Sequence, residues 1–333
     1  MHIFITGVAG LIGSHLADFY IKKNFKVSGC DNLIGGDLDN INPKLNFFKR
    51  DFLNLNELVN ITKHVDVIVH AGAIATEGLS VFSPTLIAQS NFTGSTSVFT
   101  AAAINKVKRV VYCSSMARYG RIKIPFTEDQ IPEPIDPYGI SKLAAEKILI
   151  NMSATHGFEY NIAIPHNVIG PNQKYNDPFR NVASIMINLI LQNKRPIIYG
   201  DGLQKRAFSD IDDCIYCLDQ LIVNPNVISE TVNIGPDEEF ITIKELCNIL
   251  SNKLKSNLNP EYFSSRPQEV LEAYCSSNKA RKLLNYRTTV NLSCALDKII
   301  DKIKKKGPKP FKYIYDLEIN NEFTPKTWKE KIF

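Results

Sequence analysis

A chain of 333 residues that is 44% apolar and 22% charged can bury a sizeable core, either as two closely joined domains or as one large one. Its formal charge of +5 is modest. Part of it lies in Lys302, Lys304, Lys305, Lys306 and Lys309, which read as a solvated helix end, so no nucleic-acid partner is expected. Seven irregularly spaced cysteines exclude a disulfide framework, and Cys214 and Cys217 lack the second pair that a metal site would need. No apolar run approaches the roughly 18 residues of a membrane span, and with a strand beginning at once no leader is expected. A reduced, cytoplasmic protein without a membrane partner is expected.

The β-branched and aromatic run at 2–7 predicts a strand that ends in glycine. Residues 11–24 carry helical spacing, and 25–32 return to a strand. Further strands are predicted at 45–51, 65–72, 108–115 and 159–167, with helix-like segments such as 85–105 and 139–156 between them. This alternation predicts an α/β fold: a Rossmann-type doubly wound parallel sheet over 1–167, covered on both faces, with parts of 205–240 returning to it. Beyond 168 the pattern loosens. A helix at 181–193, strands near 195–202 and 231–236, and helices at 242–255 and 291–306 read as a smaller α/β substrate-binding domain spanning 168–306. The irregular tail 307–333 holds the only tryptophan, Trp328, and either wraps the body or meets a second subunit.

"TGVAGLIGSH" sets Gly7, Gly10 and Gly13 between the first strand and the first helix. Glycine lets the backbone turn tightly and approach a pyrophosphate, while Leu11 and Ile12 open a helix whose free N–H groups face that charge. The second strand ends in Asp31, at the distance where an acidic residue takes the diol of an adenine ribose. Asp31 would repel a 2′-phosphate, and the following Asn32 and Leu33 supply no arginine to receive one. NAD is therefore expected over NADP.

"DPYGISKLAAEK" places Tyr138 and Lys142 four residues apart, on one face of a helix. A phenol is a poor base at neutral pH, but a neighbouring ammonium and a cationic nicotinamide favour its phenolate. Ser114 and Ser115, at the end of the preceding strand, are placed to hydrogen-bond a substrate oxygen. The expected catalytic trio is Ser115, Tyr138 and Lys142.

With "TGVAGLIGSHL", "VIVHAGA", "SNFTGS", "YCSSMARYG", "PYGISKLAAEK", "HNVIGPNQ", "IIYGDGLQKRAFSDIDD" and "RPQEV" in this order, residues 1 to about 305 resemble the extended short-chain dehydrogenase/reductase family. The likeness is to its NAD-dependent nucleotide-sugar epimerase and dehydratase branch, and within that to the UDP-glucose and UDP-N-acetylglucosamine 4-epimerases. The resemblance implies that Asp51 and Phe52 lie near the adenine and that Ala71, Gly72 and Ala73 pass beside the cofactor. It further implies that Asn91 supports the fold near the nicotinamide and that Lys142 holds the nicotinamide ribose. In the second half it implies that Arg206 and Arg266 grip a diphosphate and that Glu269 binds the adjacent ribose. Asn167 and Asn181 would hold phosphate or sugar groups, with Ile198 and Tyr199 flanking the base. Ala273 stands where a small residue would leave room for an N-acetyl group. The implied partners are a UDP-sugar and a second copy of the chain, met through 85–105 and 139–156. His166 is either a substrate contact or a packed ring, and Arg118 either a surface residue or a contact to an acidic sugar group.

The dehydratases of this family carry an Asp-Glu pair directly after the catalytic hydroxyl. Here Met116 and Ala117 stand in those places, and neither transfers a proton. The resemblance therefore implies 4-epimerisation through a transient 4-keto sugar. A nucleotide-sugar 4-dehydrogenase or 4-keto reductase is the alternative, with a non-catalytic NAD-binding regulator behind it.

Overall fold

The computed structural model describes residues 1–333. Six strands come in chain order: β1 (His2–Thr6), β2 (Lys26–Asp31), β3 (Asn46–Lys49), β4 (Val67–His70), β5 (Arg109–Cys113) and β6 (Glu159–Pro165). A seventh, Glu230–Ile234, joins beside β6. The spatial order is β3-β2-β1-β4-β5-β6 followed by that seventh strand, and every neighbouring pair is parallel. The winding reverses between β1 and β4. In an open α/β sheet, the crevice at the C-terminal ends of such strands is where ligands bind.

Around the sheet lie α1 (Leu11–Lys22), α2 (Leu55–Ile61), α3 (Glu77–Phe82), α4 (Pro84–Ile87), α5 (Gly94–Ile104) and α6 (Pro137–His156). Strand side chains alternate between the two faces. Ile3 and Ile5 pack with Leu16 and Tyr20 of α1 and with Leu218 of the helix Ile211–Val223. Phe4 points the other way, into a cluster with Phe99 of α5 and Leu149 of α6. With both faces covered, all five residues of β1 are buried, which is why the strands read as unbroken apolar runs.

The helix α6 begins under Asp136, whose carboxylate accepts the N–H of Gly139 at 2.9 Å, with Pro137 in the first helical position. Cap and proline fix where the first turn starts, and hence where Tyr138 stands. The helix stops at Gly157, which adopts the left-handed φ of +76°.

A second cluster joins the helices Val182–Leu191, Ile243–Leu254 and Leu292–Lys306 through Met186, Leu246, Leu250, Leu296 and Ile300. The tail 307–333 lies on the body. The Ile319 N–H donates to the Phe82 carbonyl at 2.9 Å, and Glu318 accepts from Thr85 and Leu86, both at 2.9 Å. Trp328 is buried against Phe82 and Phe179, at ring-centroid distances of 6.1 and 5.1 Å. No helix is long and apolar enough to cross a membrane.

At the switch point three backbone segments touch without side chains between them. Gly7 has a φ of +68°, and a Cβ on it would stand 2.6 Å from the Cα of Gly72. A Cβ on Gly13 would run into the Gly7 carbonyl. Gly13→Ala therefore has to push α1 off β1. We expect it to cost about 1–3 kcal/mol, measured as a lower urea midpoint at unchanged slope.

Candidate active site

A cavity of about 420 Å³ opens over the C-terminal ends of β1 and β4. One end is walled by Gly7, Gly10, Leu11, Ile12, Gly13, Asp31, Asn32, Phe52, Ala71, Gly72 and Ala73. Asp31 is held by two backbone donors, Ala9 N–H at 3.0 Å and Leu33 N–H at 2.7 Å. Burial pushes its carboxyl up, and those two bonds oppose the shift. Asp51 stands behind this wall, accepting from the Asn32 amide at 2.9 Å and so orienting it. Asn91 is buried behind it too. It lies in the π-helical stretch Ala88–Thr93, and its amide bonds both the N–H and the carbonyl of Ile74, at 2.9 and 3.0 Å. Bare glycine backbone, a helix N-terminus and an inward carboxylate together fit a dinucleotide.

Ser114, Ser115, Tyr138 and Lys142 form the middle of the wall. Lys142 donates to the Cys113 carbonyl at 2.9 Å, and its ammonium lies 5.9 Å from the centre of the Tyr138 ring. Burial brings the Lys142 ammonium down to about 8. Burial also holds the Tyr138 phenol above its ordinary range; the Ser115 hydroxyl pulls it down, while Glu77 and Asp136 push it up. Burial therefore outweighs the lowering that the Tyr138–Lys142 spacing suggests.

Ser115 caps the 3-10 turn Met116–Arg118, its hydroxyl accepting from Ala117 N–H at 3.2 Å. Ser114 turns back to donate to Glu146, which also meets Arg118 at 3.0 Å. Arg118 is only 6% exposed. It is neither a surface residue nor a sugar contact: it is half of a buried ion pair beneath the serines. The i, i+4, i+8 series Tyr138, Lys142 and Glu146 on one helix face was the signal that could have revealed its partner.

The far end holds Asn167, Asn181, Tyr199, Arg206, Arg266 and Glu269. Arg266 pairs with Glu269 at 2.7 Å and stacks over Tyr199 at 4.7 Å. Arg206 donates to the Val270 carbonyl at 2.7 Å and lies 4.0 Å from Glu269. Burial pushes Glu269 up, but Arg266 and Arg206 hold it below its usual value. Asn181 caps the helix Val182–Leu191 through Ala183 N–H at 3.0 Å, and Asn167 donates to the Ala207 carbonyl at 2.9 Å.

Besides Asp51, Asn91 and Arg118, three further candidate residues do not reach the cavity. Ile198 lies between Ile197 and Tyr199, which do, because successive strand residues face opposite ways. Ala273 pairs in register with Arg206, and its methyl turns into the core with Phe126 and Cys275. His166 is buried against Cys275 and, with burial lowering it to about 3, is a neutral packed ring.

Other wall residues escaped the sequence reading. Lys174 donates to the Ile34 carbonyl at 2.9 Å, and Arg180 pairs with Asp177 at 3.0 Å while leaning on Gly35. Both come from the loop after β6 and close over the dinucleotide end. Glu77, at the start of α3, is exposed to the cavity, and its carboxylate has no hydrogen-bond or ion-pair partner. A lone glutamate in a first helical turn gives no sequence signal beyond favouring the helix.

The NAD dependent epimerase/dehydratase family matches residues 3–235. A Methanocaldococcus jannaschii protein is 32% identical over 308 residues, covering 91% of this chain and 98% of its own. The Thermotoga maritima UDP-glucose 4-epimerase, solved with UDP-glucose, superposes with a TM-score of 0.86 at 27% identity over 92% of this chain and 99% of that one. The Bacillus cereus UDP-glucuronic acid 4-epimerase, solved with UDP-glucuronic acid and NAD, gives 0.85 at 29% identity over 92% and 100%. With its glycine cradle, Ser-Tyr-Lys constellation and seven-stranded parallel sheet, this chain belongs to the NAD dependent epimerase/dehydratase family.

Proposed function

We propose that the protein is an NAD-dependent 4-epimerase of UDP-hexoses or UDP-N-acetylhexosamines. The observation that carries this reading is the position of Tyr138, Ser115 and Lys142. They stand between a dinucleotide cradle and the Arg206–Glu269–Arg266 cluster, in one cavity. A UDP-sugar spans that interval, with its diphosphate on the arginines, whose planar forks suit phosphate oxygens, and its hexose over Tyr138. The relatives of known structure that were solved with UDP-sugars share this fold over 92% of the chain.

Gly7–Gly13 and Asp31 would hold NAD, which would supply the acceptor for the C4 hydride and, once reduced, its donor. Tyr138 takes the C4 hydroxyl proton and later returns it. Ser115 hydrogen-bonds the same oxygen as it becomes a carbonyl and reverts. Lys142, anchored on the Cys113 carbonyl, keeps positive charge beside the phenol and would hold the nicotinamide ribose. Met116 packs into the core cluster that holds Phe126, and Ala117 carries no ionisable group. Neither of these two residues can protonate or deprotonate C5 and C6, so the keto sugar turns over and is reduced on its other face.

The reading includes a homodimer built on α5 and α6, where Ile104, Ile140 and Ile150 are 55%, 52% and 37% exposed. It also includes a cytoplasmic setting, consistent with seven free cysteines, six of them buried.

Turnover of UDP-glucose followed by NMR should proceed without stoichiometric NAD(H), and Tyr138→Phe should lower it by about 10²–10⁴-fold. Undiminished conversion would remove Tyr138 as the base, and a stoichiometric NAD(H) requirement would make the protein a net dehydrogenase or reductase. Tyr138 acts as phenolate but is held above its ordinary range, while Lys142 acts as the ammonium, so kcat/KM should rise with pH up to about 8 and level off above it. Lys142→Arg, which cannot titrate in that range, should let the rise continue past about 8 whatever its absolute rate. A break near 8 that persists in that variant would assign it to another group.

A further inference from the structure

Glu77 occupies a place that the epimerase reading leaves without a role. Its helix is tied to the catalytic end of the cavity, since the Ser80 hydroxyl donates to Asp136, the cap of α6, at 3.4 Å. The same turn adjoins the diphosphate end. A Cβ on Gly78 would stand 3.7 Å from Nη1 of Arg266, with the Trp328 ring behind it. The loop leading into this turn is fixed by Asn91 through both backbone groups of Ile74. Residue 77 is thus held between Tyr138 and Arg266, along the span that the hexose occupies if the proposed function holds. The charges agree with this placement. Burial pushes the Glu77 carboxyl up while Arg206 and Arg266 oppose it, and Glu77 in turn raises Tyr138.

The balance of charge in the cavity gives the placement its meaning. Every lysine and arginine on the wall already has a carboxylate or carbonyl partner, and Arg118 is sequestered beneath the serines. Only Glu77, a carboxylate, faces the hexose span with nothing bound to it. A neutral sugar offers hydroxyls to that carboxylate. A hexuronate brings a second carboxylate beside Glu77, and the Lys142 ammonium is already turned to the Cys113 carbonyl, so like-charge contact disfavours it.

We propose that Glu77 is a specificity-determining residue: it accepts hydrogen bonds from the hydroxyls of a neutral hexosyl group and turns away hexuronates. The inference rests on the nucleotide-sugar reading but not on turnover, so the two fail separately. The test is calorimetric binding of UDP, UDP-glucose and UDP-glucuronate to NAD-loaded protein carrying Tyr138→Phe to block reaction, with and without Glu77→Gln. With Glu77 present, UDP-glucose should bind at least about 30-fold tighter than UDP-glucuronate. Glu77→Gln should close that gap by about tenfold or more, mainly through tighter UDP-glucuronate, with UDP itself unchanged within about twofold.

An unchanged gap overturns the proposal, as does equal binding of the two sugars when Glu77 is present. A parallel shift in UDP affinity also overturns it, by showing that Glu77 acts on the arginines. If the Glu77-dependent gap is present while the unmodified enzyme turns over no UDP-sugar, the epimerase assignment fails and the specificity role stands.

Discussion

The site depends on backbone-to-backbone contact at the switch point. The turn after β1, the start of α1 and the strand end at Gly72 meet where no side chain fits. This contact brings the helix N-terminus down to the sheet edge. There its unpaired N–H groups and the Asp31 carboxylate face the same space. The adjoining layer is fixed by His70, whose ring nitrogens bond Thr6 at 2.6 Å and Ser95 at 2.8 Å, while Thr6 also accepts the Gly72 N–H at 3.1 Å. Burial holds His70 well below its usual range, so it serves as a neutral brace. One polar chain thus ties β1, β4 and α5 to the glycine contact.

A second brace governs the catalytic middle. Glu146 lies one turn below Lys142 and gathers Ser114 and Arg118. Breaking a buried pair is costly because the surviving charge is stranded, so the strand end carrying the two serines is pinned to the helix carrying Tyr138. Ser114 thereby bonds the scaffold and leaves Ser115 to face the cavity, a division of labour that two adjacent hydroxyls do not disclose in sequence.

What the sequence disclosed follows from the range of each interaction. Strands buried on both faces write continuous apolar runs, and the doubly wound α/β sheet was legible from their alternation with helices. Gly7, Gly10, Gly13 and Asp31, like Tyr138 and Lys142, act through short spacings along one turn or helix, and spacing is visible in one dimension. Strand facing depends on register, so Ile198 could not be told from Ile197 and Tyr199. Ala273 likewise turns inward because of its pairing with Arg206. Arg118 and Glu146 meet only through the tertiary fold, and only the fold brings the turn at Gly78 near Arg266. Their chemistry lies in a partner that no local pattern names.

The tail adds an asymmetry. The dinucleotide end of the cavity is built largely within the first 113 residues, from contacts between adjacent strands and the turns that follow them. The far end takes Tyr315 and Phe333 of the tail into its wall, and Trp328 lies against Gly78 and Phe179, three segments brought together across most of the chain. That wall is a strap with little regular structure, whereas the opposite wall is a seven-stranded sheet. Local opening favours regions of low packing and little regular hydrogen bonding. The tail end of the cavity is therefore where local opening is expected first, with the sheet end the more firmly held.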